Sequence, residues 1–150
     1  MINLVIQISQ LPSAVDLPVP EYMSSGASGM DLRACVDSTM IIPPGQRELI
    51  PTGLQIAIPS GFEGQVRPRS GLAFREGVTV LNTPGTIDAD YRGEIKVVVI
   101  NLGEDNYVVN RGDRIAQLVI CPIVTARLQL VDELPPSIRG EGGFGHTGRS

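Results

Sequence analysis

Asn82-Thr83-Pro84-Gly85-Thr86-Ile87-Asp88-Ala89-Asp90-Tyr91-Arg92-Gly93-Glu94 lies between two runs rich in β-branched residues. Val78-Thr79-Val80-Leu81 precedes it and Ile95–Ile100 follows it, and both read as strands. Pro84-Gly85 is turn chemistry, because Pro presets φ and Gly tolerates a positive φ. The stretch is therefore expected to be a β-hairpin or a bulged strand pair with acids just past its tip. Asp88 and Asp90 stand two apart, so a regular strand puts them on one face and Ala89 and Tyr91 on the other. A carboxylate beside a turn and an aromatic suits a small planar ligand and an activated water. Solvated acids on a surface hairpin are the alternative, and spacing alone leaves both readings open.

Composition extends the β reading outward. The 150 residues suit one domain able to bury about two-thirds of its unfolded surface. Aromatics make up 4% and Trp is absent, so the core must be Val, Ile and Leu, which favours strands. Glycine (17) and proline (12) are in excess, as many turns between short strands require. A net charge of −4 argues against a nucleic-acid coat but leaves room for a phosphate held by local arginines. Cys35 and Cys121 form no CxxC, so zinc and redox pairs lack support, and two reduced thiols in a cytoplasmic protein are expected. The first ten residues lack a basic, signal-like start, and no stretch reaches the length of a membrane span.

Short strands are expected at Ile2–Ser9, Met30–Ala34, Thr39–Ile42, Arg47–Pro51, Leu54–Ile58, Glu63–Arg67, Tyr107–Val109, Arg114–Ile120 and Val124–Val131, separated by Pro/Gly turns. Asn110-Arg111-Gly112-Asp113 reads as a tight hairpin turn, and it also contains the Arg-Gly-Asp tripeptide of adhesion ligands. Arg67–Gly77 breaks the β pattern. Ser70 is expected to N-cap one short helix that Gly77 ends, with Arg69 and free N–H groups at its start suiting an anion. Gln117, inside an apolar strand, needs a partner and reads equally as an edge residue or a ligand contact. Arg139–Ser150 is glycine-rich and expected to be mobile, yet it carries Phe144 and the only histidine, His146. An arm that closes over a ligand has use for such an aromatic and for its arginines.

Five segments together resemble the five ordered motifs of trimeric dUTPases: Ala27–Ala34, Pro68–Ala73, Gly85–Glu94, Arg111–Leu118 and the tail from Arg139 to Gly148. The resemblance spans nearly the whole chain. It implies an all-β, jelly-roll-like β-barrel over residues 1–136, and a flexible arm over 137–150 that closes over an active site. It also implies a homotrimer whose active sites are shared between subunits, with no nucleic-acid or membrane partner. The implied reaction is hydrolysis of dUTP to dUMP and pyrophosphate, which limits uracil in DNA and supplies dUMP for thymidylate synthesis.

By motif match, Asp88 activates the water that attacks the α-phosphate. Asn82 and the backbone of Gly85, Thr86 and Ile87 pair with the uracil edge, with Lys96 a further substrate-binding position. Tyr91 packs under the deoxyribose. Arg69, Ser70, Gly71 and Gln117 hold phosphates, and Asp31 supports them. Arg139 meets the γ-phosphate, while Phe144, followed by Gly145, stacks on the uracil. Mg2+ is expected to be held mainly by substrate phosphates, with no protein ligand cluster. His146 departs from the serine usual after Phe-Gly in the family. A dCTP deaminase-like enzyme and a trimeric β-sandwich binding module are the rivals. The glycine-rich arm speaks against the first, and Asp88, Tyr91 and Phe144 together speak against the second.

Overall fold

Buried and exposed side chains alternate along Lys96–Asn101, where Val97, Val99 and Asn101 are buried and Lys96 is exposed. That period of two makes it a strand with one face on the core. The same patterning recurs through the computed structural model, which describes residues 4–143. In chain order the strands are β1 (Gln7–Gln10), β2 (Met30–Arg33), β3 (Met40–Ile42), β4 (Arg47–Pro51), β5 (Leu54–Ala57) and β6 (Phe62–Arg67), then β7 (Val78–Val80), β8 (Gly85–Ile87), β9 (Lys96–Asn101), β10 (Tyr107–Val109) and β11 (Arg114–Pro122). One short helix, α1 (Ser70–Glu76), joins β6 to β7, and a 3-10 turn covers Pro12–Ala14. The described chain is thus mostly β, with no helix long and apolar enough to cross a membrane.

Among the described residues all strand pairs are antiparallel and fall into four groups: β1-β5, β3-β10, β4-β9-β7 and β2-β11-β6-β8. Between them lies a core of Val, Ile and Leu, with Leu32, Ile42, Ile50, Val97 and Val109 fully buried. Each such side chain contributes about 1.5–3 kcal/mol by leaving water. The fully buried amide of Asn101 is satisfied three ways. Its Nδ2 donates to the carbonyls of Ile42 and Asp105, and its Oδ1 accepts from the Gly103 N–H.

Several expectations are corrected. The first strand starts at Gln7 rather than near Ile2; residues 1–3 lie outside the described part. Val124–Val131 forms no strand, because no edge of its own chain pairs with it; after the Ile123 N–H bonds to Gly61 O, the segment runs exposed. Val78–Val80 does pair with β9, but the connection is not a hairpin turned at Pro84-Gly85. The Thr83–Pro84 bond is cis, Gly85 has no positive φ, and Gly85 opens β8, which pairs with β6 in a different sheet. Asp88 and Asp90 therefore sit in a turn, closed by the Tyr91 N–H donating to Asp88 O at 3.1 Å, rather than on one face of a strand. Asn110–Asp113 is a turn, with Gly112 at φ 83°. It is not a hairpin, since β10 pairs with β3 while β11 enters the four-stranded sheet.

Candidate active site

The four-stranded sheet reorders the motifs. β11 lies between β2 and β6, so Gln117 stands opposite both Asp31 and Arg67. β8 lies on the far side of β6. Three of the motif segments thus become neighbours through β11, although 86 positions separate Asp31 from Gln117 in the chain.

One group of side chains forms around Asp31, whose carboxylate pairs with two arginines. Its Oδ1 accepts from Arg69 Nε at 2.9 Å and its Oδ2 from Arg114 Nη1 at 3.2 Å. Arg69 Nη1 also donates to the Arg114 carbonyl at 3.2 Å. Two guanidiniums on one carboxylate leave an excess positive charge, which suits an anion. Gln117 Nε2 donates to the Pro68 carbonyl at 2.9 Å, which fixes the chain entering Arg69 and Ser70. Gly29 lies so close to Gln117 that a Cβ there would stand 2.5 Å from Oε1. Ser70 is not the helix cap: α1 begins at Ser70, Arg69 holds the cap position in extended geometry, and no side chain caps the helix. The Ser70 side chain is left exposed at the helix start. Gly77 ends the helix as expected, at φ 66° with its N–H on the Leu72 carbonyl.

A second group lines a cleft of about 290 Å³ that includes Asn82, Gly85, Thr86, Ile87, Tyr91, Glu94 and Lys96. The volume lies at the small end of ligand pockets and has room for a ring system. A Cβ on Gly85 would meet Asn82 Nδ2 at 3.2 Å and Val66 Cβ at 3.3 Å, so the Asn82 amide closes over bare backbone. Tyr91 is oriented by its hydroxyl donating to the Glu94 carbonyl at 3.0 Å, and its ring lies on Gly93, where a side chain would collide. Arg92 Nη1 donates to the carbonyls of Ala89 and Tyr91, both at 2.7 Å, and so braces the turn that carries Asp88. Asp88 itself is exposed, just past the end of β8.

The sequence-expected residues therefore fall into two groups. The cleft gathers Asn82, Gly85, Thr86, Ile87, Tyr91 and Lys96, whereas Asp31, Arg69 and Gln117 cluster by themselves with Ser70 and Gly71 following Arg69. Arg139 joins neither; its Nε donates to Gly142 O in a local turn. Phe144, Gly145 and His146 lie outside the described residues. The sequence pattern alone does not single out Arg114, Arg92 or Glu94 as site residues. Arg114 adjoins the Arg-Gly-Asp turn and stands opposite Arg33 in the strand register, and its side chain reaches past Arg33 to Asp31.

Arg111 is tied into the fold. It makes two bonds to the Asp16 carboxylate, at 2.6 and 3.1 Å, and one to Val36 O. The Arg111 hydrogen bond holds the Asp16 carboxyl below its ordinary value, and the Asp16 bond in turn raises the already high Arg111 value. An adhesion ligand displays this arginine freely, so the tripeptide serves as a turn here. Among the described residues no three His, Cys, Asp or Glu stand together as a metal site.

Comparison with known proteins gives one consistent result. A model of the dUTPase family matches residues 16–148. Deoxyuridine 5'-triphosphate nucleotidohydrolase of Syntrophotalea carbinolica is 56% identical over 148 residues, covering 99% of both chains. The fold superposes on a mutant dUTPase of Staphylococcus bacteriophage 80alpha with dUpNHpp at a TM-score of 0.87 and 27% identity, covering 97% of this chain and 99% of that one. It also superposes on a mutant dUTPase from phage phi11 of S. aureus, whose structure shows the coordination of a structural Mg(II) ion, at a TM-score of 0.77 and 25% identity, covering 86% of this chain and 97% of that one.

Proposed function

Since the chain belongs to the dUTPase family, we infer that it is a dUTP nucleotidohydrolase, converting dUTP to dUMP and pyrophosphate. The observation that carries the reading for this chain's own residues is the pairing of a ring-sized cleft built on bare backbone with a separate cationic cluster. A base and a phosphate chain need those two environments.

The roles follow from chemistry. The uracil edge pairs with Asn82 and the backbone of Gly85, Thr86 and Ile87, where the close approach of Asn82 to Gly85 leaves little room for a thymine methyl. Tyr91, held by Glu94 and Gly93, lies against the deoxyribose and excludes a 2'-hydroxyl. Arg69, Ser70, Gly71 and Gln117 hold phosphates, and Asp31 keeps Arg69 in place. The Asp88 carboxylate takes a proton from water as the water oxygen bonds to the α-phosphorus. The bond from that phosphorus to the bridging oxygen breaks, and pyrophosphate leaves.

Mg2+ fits as a cation carried by the substrate, since Asp31 is already committed to two guanidiniums. Bound to the phosphates, it supplies charge neutralisation for the leaving group.

We further propose a homotrimer of jelly-roll-like subunits with shared active sites. Two features support it. Among the described residues, the cleft that holds the base-side residues is lined by none of Asp31, Arg69 and Gln117. And Val124, Leu128 and Leu130 are 95, 93 and 100% exposed in an otherwise unpaired segment, apolar surface that a neighbouring subunit can cover. The arm over 137–150, with Arg139, Phe144 and Gly145, would then close over a neighbour's site. Two unbridged cysteines suit a cytoplasmic enzyme.

The test is pyrophosphate release, with Mg2+, from dUTP, dTTP, UTP and dCTP, on the intact chain and on a chain ending before Arg139. Turnover of dUTP alone, lost with the arm, is expected. Release from dTTP or UTP at comparable rates contradicts the roles given to Gly85 and Tyr91.

A further inference from the structure

Among the described residues, Glu94 and Lys96 are the charged pair lining the ring-sized cleft. They stand two apart at the entrance to β9 and meet as an ion pair, Lys96 Nζ to Glu94 Oε2 at 3.5 Å. The two ends of the pair are held very differently. Lys96 is a four-carbon side chain with 45% of its surface in water, while Glu94 is 19% exposed. The other carboxylate oxygen of Glu94 accepts the Gly53 N–H at 2.9 Å. Gly53 cannot drift: its φ is 68°, its carbonyl accepts the Leu11 N–H at 2.8 Å, and Ala14 packs where its side chain would be.

A rigid carboxylate therefore faces a flexible ammonium at the wall of the cleft. We propose that Glu94 is a positioning residue that holds the Lys96 ammonium at the cleft, ready to donate to a carbonyl or sugar oxygen of the nucleoside. The proposal rests on the reading of this cleft as the nucleoside site. Without Glu94 the ammonium returns to water, and each binding event must order it again. That cost falls on binding and not on the chemical step, so it is seen in KM and not in kcat.

The test is a double-mutant cycle on the full chain, with dUTP and Mg2+, comparing wild type, Glu94→Gln, Lys96→Met and the double variant. Glutamine keeps an oxygen for the Gly53 N–H and loses only the charge. Glu94→Gln is expected to raise KM roughly three- to fivefold with kcat within about twofold. Lys96→Met is expected to raise KM at least as far, and adding Glu94→Gln to it should change KM by less than about 1.5-fold, because residues acting through one contact are not additive. A wild-type KM in Glu94→Gln, or KM effects that multiply in the double variant, overturns the proposal. So does a large fall in melting temperature for Glu94→Gln, which would make Glu94 structural. Wild-type protein that leaves dUTP intact overturns the nucleoside reading of the cleft and this proposal with it. Normal wild-type turnover with a multiplicative cycle overturns the positioning role alone.

Discussion

Gly29→Ala should damage both stability and substrate binding through a single added carbon. Gly29 has no positive φ, so alanine there brings no backbone strain and the effect is steric. The new Cβ would lie 2.5 Å from Gln117 Oε1, 3.2 Å from its Cδ and 3.3 Å from its Cβ. The Gln117 Cβ cannot retreat, because β11 is bonded to a strand on each side at this residue. The amide must swing instead, and its 2.9 Å bond to the Pro68 carbonyl is lost. The lost hydrogen bond costs about 0.5–1.5 kcal/mol, and a displaced rotamer about as much again. A sum near 2 kcal/mol corresponds to a fall of roughly 4–8 °C in Tm for a chain of this size. Pro68 leads into Arg69 and Ser70, so KM for dUTP should rise about tenfold or more if Gln117 and those residues hold phosphates. Gly26→Ala is the control, since nothing lies within 4 Å of a Cβ there. Thermal melts and pyrophosphate-release kinetics on both variants decide the matter. Gly29→Ala behaving like Gly26→Ala in both assays would refute the reasoning.

Asp31→Asn should destabilise by about 1–2 kcal/mol, chiefly through the Arg69 arm, with the more exposed Arg114 arm discounted for screening; an unchanged urea midpoint contradicts it. Asn101→Leu leaves two carbonyls and one N–H without their partner in the core, so a loss of about 3–5 kcal/mol is expected in urea unfolding. Asp88→Asn should lower kcat by at least about a hundredfold while the affinity for a non-hydrolysable dUTP analogue, read by calorimetry, stays within about threefold. Tyr107 gives a pH prediction. Burial, and then the carboxylates of Asp113 and Glu76, raise its phenol above the ordinary 10.0, so the folded state holds that proton more tightly than the unfolded one. Its contribution is complete below about pH 10 and disappears as pH rises through the folded value. Tm should therefore fall less steeply above that pH in Tyr107→Phe than in wild type, and parallel curves count against the effect.

What could be read in the chain beforehand follows from the range of each signal. Strand-forming runs bounded by Pro/Gly turns mark Thr39–Ile42, Arg47–Pro51 and Ile95–Ile100, where β3, β4 and β9 lie, and Gly77 marks the end of the helix, because these signals are local. Register is not local. Nothing in the neighbourhood of Gln117 says that it faces Asp31 on one side and Arg67 on the other. The Pro84-Gly85 pair reads as the turn of a hairpin, but the structure uses Gly85 for the close approach of Asn82 and Val66. Val124–Val131 looked like a strand because its side chains are strand-like, yet a strand also needs a partner, and its own chain offers none. In the sequence a surface glutamate and an anchored one look alike, and only the Gly53 N–H beside Glu94 tells them apart.

The two halves of the proposed site are built by different means, and this separates selectivity from affinity. The cleft depends on glycines where the chain packs against itself, Gly85 under Asn82 and Gly93 under Tyr91. A shape made of backbone rejects a ligand one carbon too large, because the backbone cannot move aside as a side chain can. The Asp31 cluster depends on charged side chains that hold one another, and it contains nothing able to distinguish one triphosphate from another. Changes at Gly85 or Gly93 should therefore alter the ratio of dUTP to dTTP or UTP turnover. Changes at Arg69 or Asp31 should weaken all of these nucleotides together. The relative kcat/KM across nucleotides thus reports on the cleft, and its absolute value across salt concentrations reports on the cluster.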